Sequence, residues 1–199
     1  MSTLTFPNII PNDSEFGLQS NTQSARSELN GAVQTLGLPG DIWTGVFTFT
    51  NKVDPDARIL RAFLTSLRGQ AGRFYLSPPG YRKAGIGTGT PQVKGAGQTG
   101  SSLLTDGWTP SQTGILLAGD YFQYEYELKM MTADANSDSG GNATLNFTPP
   151  IRVSPADNAT IITTKPSCVM MLKNGNQSRW QAMPTPIYAM SIACEEALV

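Results

Sequence analysis

Gly95, Gly97 and Gly100 reproduce the GxGxxG spacing that lets a backbone approach a pyrophosphate, and Asp120 lies twenty residues further on. That is where a dinucleotide site places its ribose-binding carboxylate. The chemistry needs a helix directly after the glycines, so that free amides point at the phosphates. Ser101 to Trp108 show no helical periodicity, and the chain has no GK[ST] tail. Nucleotide binding is therefore set aside. Asp134, Asn136 and Asp138 place oxygen ligands at alternate positions, as a calcium loop does. The sixth position is not glycine and the twelfth is Leu145 instead of a bidentate glutamate. A polar hairpin turn is expected there, with no metal and no cofactor.

Asp41, Asp54, Asp106, Asp120, Glu125, Glu127, Glu195 and Glu196 are the carboxylates that a fold could pair for acid–base work. Each has a structural role to fill first: turns at Asp41 and Asp106, a helix cap at Asp54, one strand face for Glu125 and Glu127. The chain has no histidine, which removes the usual general base and the commonest metal ligand. Cys168 and Cys194 are the only cysteines and sit in apolar segments, so they are read as buried free thiols. Asn142, Asn158 and Asn176 open glycosylation patterns, read as chance in a chain without a secretion signal. Trp43, Trp108 and Trp180, with Tyr121, Phe122, Tyr124 and Tyr126, have the composition of a sugar-binding or base-stacking surface. Core and interface packing draw on the same residue types and are preferred. The interface candidates are Trp43, Phe47, Phe49, Tyr124, Tyr126 and Trp180.

The element that organises the chain runs from Asp54 to Leu76. Asp54 reads as an N-cap with Pro55 in the first helical position. Ile59, Leu60, Phe63, Leu64 and Leu67 fall on one side of a helix over about 54–68, and Gly69 can take the left-handed conformation that ends it. Arg73 to Leu76 then reads as a strand stopped by Pro78, Pro79 and Gly80.

The remaining chain reads as strands and turns. Residues 2–6, Ser14 to Gln19 and Gly31 to Leu36 are short strands, while Thr22 to Leu29 reads as a hairpin turn or a brief helix. Ile42 to Thr50 is a strand that puts Trp43 or Phe47 and Phe49 in a core. Ser102 to Leu104, Ile115 to Leu117, Tyr121 to Met131, Ala143 to Phe147 and Ala159 to Thr164 follow, with Pro149 and Pro150 closing a block. Cys168 to Lys173 and Thr185 to Glu195 read as an antiparallel pair. The fold class is mainly β with a minor α part. Residues 1–80 with about 165–199 form one β domain carrying the helix, and about 81–164 form an inserted small β-barrel.

At 199 residues the chain can bury a core, and its net charge of −1 gives no general drive toward nucleic acid or anionic membrane. No apolar run reaches the length of a membrane span, so no membrane insertion is expected. The N-terminus lacks the basic start and apolar stretch of a signal peptide, which points to synthesis and use in a cytoplasm.

Several segments, taken in order, carry a resemblance. They are Pro39 to Trp43, Asp54 to Arg58, Leu67 to Leu76, the Gly95–Gly100 loop with Thr105 to Trp108, Gly119 to Gln123, Leu128 to Asp134, and Pro149 to Arg152. Together they resemble the distal tail proteins of long, non-contractile-tailed bacteriophages, over about residues 39–155. That resemblance implies a belt-type β-sandwich with a helix and an additional β domain. It also implies a hexameric ring at the end of the tail tube, joining the tube protein to the hub and to receptor-binding proteins of the virion. Assembly would take place in the host bacterial cytoplasm. The family has no catalytic motif, so no enzyme activity is implied. Edge strands at 42–50 and 185–195 are expected to pair across neighbouring subunits. Arg61 and Arg68 are candidates to face the lumen through which genomic DNA passes. A carbohydrate-binding module on a virion or tail fibre is the alternative, and a carboxylate-dependent wall hydrolase the less favoured third reading.

Overall fold

The structure is a computed structural model that describes residues 3–175, 179–182 and 187–198. The Asn176 pattern and the start of the strand expected at Thr185 lie outside the described residues. In chain order come β1 (Leu4–Thr5), β2 (Asp13–Gln19), β3 (Thr22–Arg26), β4 (Val33–Gly37), β5 (Ile42–Lys52), helix α1 (Asp54–Ser66) and a 3₁₀ turn (Gly69–Ala71). Next are β6 (Phe74–Leu76), β7 (Gly89–Val93), β8 (Gly100–Trp108), β9 (Tyr121–Tyr124), β10 (Glu127–Met131) and β11 (Ala143–Ile151). The last are β12 (Ile161–Ile162), β13 (Cys168–Leu172), β14 (Gln181–Ala182) and β15 (Tyr188–Glu196). The fold is mainly β with one amphipathic helix, as the patterning predicts.

The chain divides into two compact units, one of Phe6–Arg73 with Met170–Ala197, the other of Thr3–Thr5 with Phe74–Val169. In the first, β5 lies between β15 and β2, all antiparallel, with Phe47 opposite Ile192 and Gly45 opposite Phe16. On its other side β15 meets β13, through Met171 and Glu195, and β14, through Ala182 and Tyr188. The period of two along β5 sends Trp43, Phe47 and Phe49 inward, with exposures of 1, 2 and 0%. Ala57, Leu60, Phe63 and Leu64 of α1 are buried as well. The Phe6 ring bridges the two elements, 5.3 Å from Phe63 and 5.9 Å from Phe47 between centroids.

Three expectations for this unit are corrected. Val53 is the N-cap, with no side-chain cap bond, and Asp54 is the first helical residue, turned instead toward Arg58 and Arg61. Ile59 is exposed, because the buried stripe at 57, 60, 63, 64 and 67 leaves it about 100° round the helix from Leu60. The strands expected to be free edges, β5 and β15, are interior, and β2 is an edge strand. Gly69 does take φ 70, preceded by Arg68 at φ 54.

Residues 22–37 contain no helix: Thr22 to Leu29 opens with strand β3, and the strand expected at Gly31 to Leu36 is present as β4. They form an antiparallel hairpin, β3 with β4, in which Ala25 faces Gln34. Every residue of both strands is exposed. Its root is fixed by Asn21, whose amide donates to Asp41 Oδ1 and whose side chain donates to the Pro39 carbonyl. Its tip is fixed by the Leu29 and Ala32 amides, which donate to Ser27 Oγ and Asn30 Oδ1.

The second unit is a six-stranded sheet in the order β12-β9-β10-β11-β8-β7. Its ends meet: the Val93 amide donates to the Ala159 carbonyl, the Asn158 amide donates to the Val93 carbonyl, and Gln92 bridges Thr160. The result is a nearly closed barrel around Leu103, Trp108, Phe122, Tyr124, Leu145 and Phe147. β1 and β6 pair in parallel in this unit, Leu4 opposite Phe74.

Tyr121 to Met131 is not one strand. Glu125, at φ 47, and Tyr126 form a two-residue turn between β9 and β10, with Tyr124 opposite Glu127. Pro149 and Pro150 lie inside β11, where its pairing with β8 shifts register between Asn146 and Ile151. A bulge tolerates the missing amides. Ile115 to Leu117 forms only an isolated bridge, Leu116 to Ala135.

Candidate interaction surfaces

The glycine loop and the calcium-like turn are filled by their own hydrogen bonds. The Gly95–Gly100 loop joins β7 to β8, and no helix follows it. Gln98 fills the loop, donating to the Lys94, Gly95 and Leu104 carbonyls and accepting from the Leu104 amide. Asp134, Asn136 and Asp138 accept from the amides of Ala118, Gly114 and Gly140, which makes them turn-forming side chains. Among the described residues no group of three His, Cys, Asp or Glu is placed to hold a metal.

Asp120 is 2% exposed, and its carboxylate accepts from the amides of Ala84, Gly85 and Leu117 at 2.8–2.9 Å. The Tyr81 hydroxyl adds a long fourth bond at 3.4 Å. Asp120 thus pins the strandless segment before β7 to the start of β9. Asp120→Ala would strand three amides and is expected to destabilise the protein by about 3 kcal/mol, read from the urea midpoint.

Of the interface candidates, Trp43, Phe47 and Phe49 are core residues. Tyr124 is also buried, its hydroxyl donating to Glu127 Oε2 at 3.0 Å. The same oxygen accepts from Lys129 Nζ at 2.6 Å, and Glu127 Oε1 accepts from the Val153 amide. Lys129 Nζ also donates to the Pro150 carbonyl and stands over the Tyr124 and Phe147 rings. Burial pushes the Glu127 carboxyl up. The hydrogen bond and charge of Lys129, with the Val153 and Arg152 amides, outweigh that and hold it below the usual carboxylate value. The Tyr124 phenol is pushed up by burial and by Glu127. This network ties three strands together.

Tyr126 and Trp180 are exposed, at 54 and 45%. Trp180 belongs to a feature that the sequence did not assemble. The Arg61 guanidinium lies 5.2 Å from the Trp180 ring centroid and 4.8 Å from that of Tyr188, within cation–π range of both. Beside this stack is an open hollow of about 570 Å³ lined by Arg58, Arg61, Ala62, Thr65, Ser66 and Trp180. Arg68, the other lumen candidate, is exposed.

Cys168 and Cys194 are buried thiols that donate to the Leu76 and Gly45 carbonyls, and burial pushes the Cys194 thiol up to about 12. Thiol reagents are expected to label native protein about a hundredfold or more slower than protein in denaturant. Equal rates by absorbance assay would contradict the packing of β13 and β15.

The fold and surfaces define a mainly β protein of a helix-backed sheet and a nearly closed barrel. No helix among these is long and apolar enough to cross a membrane. The chain matches no protein-family model, and a comparison with curated proteins finds no similar sequence.

Proposed function

We propose that this chain is a structural protein of a bacteriophage tail tip. Copies of it assemble into a ring, sixfold in the family it resembles, that connects the tail tube to the hub and receptor-binding apparatus. It acts by assembly, not catalysis. The observation that carries the reading is the β3–β4 hairpin. A two-stranded hairpin is marginal in water on its own, and this one buries none of its strand residues within its unit. It also presents Leu29, Val33 and Leu36 to solvent. Such an arm is stabilised when a neighbouring subunit covers it.

The hairpin can be removed cleanly, because the Leu38 amide already donates to the Asn21 carbonyl at its root. Replacing residues 22–37 by two glycines is expected to abolish rings seen by electron microscopy while leaving the urea midpoint of the subunit unchanged. Rings that form equally well without the arm would overturn this role.

A further inference from the structure

We propose that neighbouring copies meet through two different surfaces of the first unit. The acidic edge strand β2 of one copy seats on the Arg58–Arg61–Trp180 hollow of the next. This inference rests on the ring reading above and names the residues that would make the contact.

The topology sets the two surfaces apart. β15 pairs with β5 on one side and with β13 and β14 on the other, and β2 lies beyond β5. Trp180 immediately precedes β14, and Arg61 reaches Tyr188 at the start of β15. The hollow, lined by α1 and by Trp180, thus adjoins the β14 side of β15, whereas β2 is the edge strand beyond β5. A ring subunit needs such a pair of different lateral faces, because a head-to-tail contact closes only when unlike patches meet.

The chemistry matches as well. Asp13 and Glu15 are exposed and share the outward face of β2, since the alternate residues Phe16 and Leu18 oppose Gly45 and Trp43 on the inward side. Two residues along a strand separate them by about 7 Å. Arg58 and Arg61 are one helical turn apart, with about 5–6 Å between their Cβ atoms. Each carboxylate can therefore reach one guanidinium.

The Arg58 side chain is 71% exposed. Asp54 faces it and Arg61 from the start of the helix, but at 3.8 and 3.7 Å, which leaves room for a closer partner. Arg61 is already oriented by two rings, so little side-chain freedom remains to be lost on binding. Trp and Arg are the residue types that dominate protein–protein contacts. Seating β2 also covers an open edge of the unit. With a net charge of only −1, the complementarity comes from segregation of the two signs.

The test is charge reversal on each face, read by sedimentation of the full chain at rising concentration. Arg58→Glu alters an exposed side chain and leaves the Arg61 stack in place. Asp13→Lys with Glu15→Lys alters the other surface. Each variant is expected to associate about tenfold or more weakly than wild type. An equimolar mixture of the two is expected to recover assembly, because unlike surfaces then alternate around the ring. Wild-type assembly by both separate variants, or no recovery in the mixture, would overturn the contact while leaving the ring reading intact. A wild-type chain that stays monomeric at every concentration would remove the ring reading, and the contact with it. Saturable binding of nucleic acid or an acidic glycan by the wild type, with assembly insensitive to Arg58→Glu, would assign the hollow elsewhere.

Discussion

Lys129→Met is expected to destabilise the barrel by about 3–5 kcal/mol, among the largest effects of any single substitution in the chain. The Lys129 side chain has no solvent exposure, and its ammonium is the partner of Glu127, itself 7% exposed. Removing the cation leaves the buried carboxylate with its amide and hydroxyl donors but without the ammonium hydrogen-bonded to it. Adding Glu127→Leu should recover much of the loss, since burying an ion pair is itself expensive. A urea titration of the single and double variants measures both. The pair also sets a pH dependence. Glu127 is held below its unfolded value, so it contributes fully above about pH 4.3 and progressively less as pH falls through its folded value. Acid unfolding of wild type should weaken accordingly in the double variant. A Lys129→Met protein as stable as wild type would contradict the network.

Phe49→Ala is expected to cost about 3–5 kcal/mol in the helix-backed unit. Phe49 has no exposure, and Phe6 lies 6.4 Å away, between it and Phe63 of α1. The cavity would open under the helix, where β5 is held by strands on both sides and cannot shift to fill it. Val46, on the opposite face of the same strand and 38% exposed, is the control. Val46→Ala should change the unfolding free energy by no more than about 0.5 kcal/mol. A similar loss at both positions would mean that the inward face is not the one described.

What could be read in the sequence follows from which signals are local. The alternation in β5 points Trp43 or Phe47 and Phe49 inward, which rules out the interface role that their residue types also suggest, and the spacing of Leu60, Phe63 and Leu64 marks the helix. The helix is capped one residue before the position its residue types suggest, because Asp54 has the right side chain for a cap but turns it toward Arg58 and Arg61. The β9–β10 turn was invisible, since Glu125 and Tyr126 occupy a place where Asn-Gly is the usual signal. With the turn hidden, Tyr124 passed for an exposed strand residue. Barrel closure depends on Val93 meeting Ala159, 66 residues away by their numbering, and no pattern within a strand reports such a pairing. The same limit applies to the exposed surfaces. Trp180 was recognised as a residue suited to contact, but its stack with Arg61 and Tyr188 joins distant parts of the chain. Edge or interior status is likewise a property of the whole sheet, so the local patterns of β5 and β15 do not reveal that both are interior.

The central claim is that copies of this chain build a ring, and the most direct test is the mass of the full-length protein in solution combined with negative-stain imaging at higher concentration. The account predicts a concentration-dependent rise to a single closed species, with sixfold rings in projection. A protein that remains monomeric throughout, without rings on the grid, would contradict it.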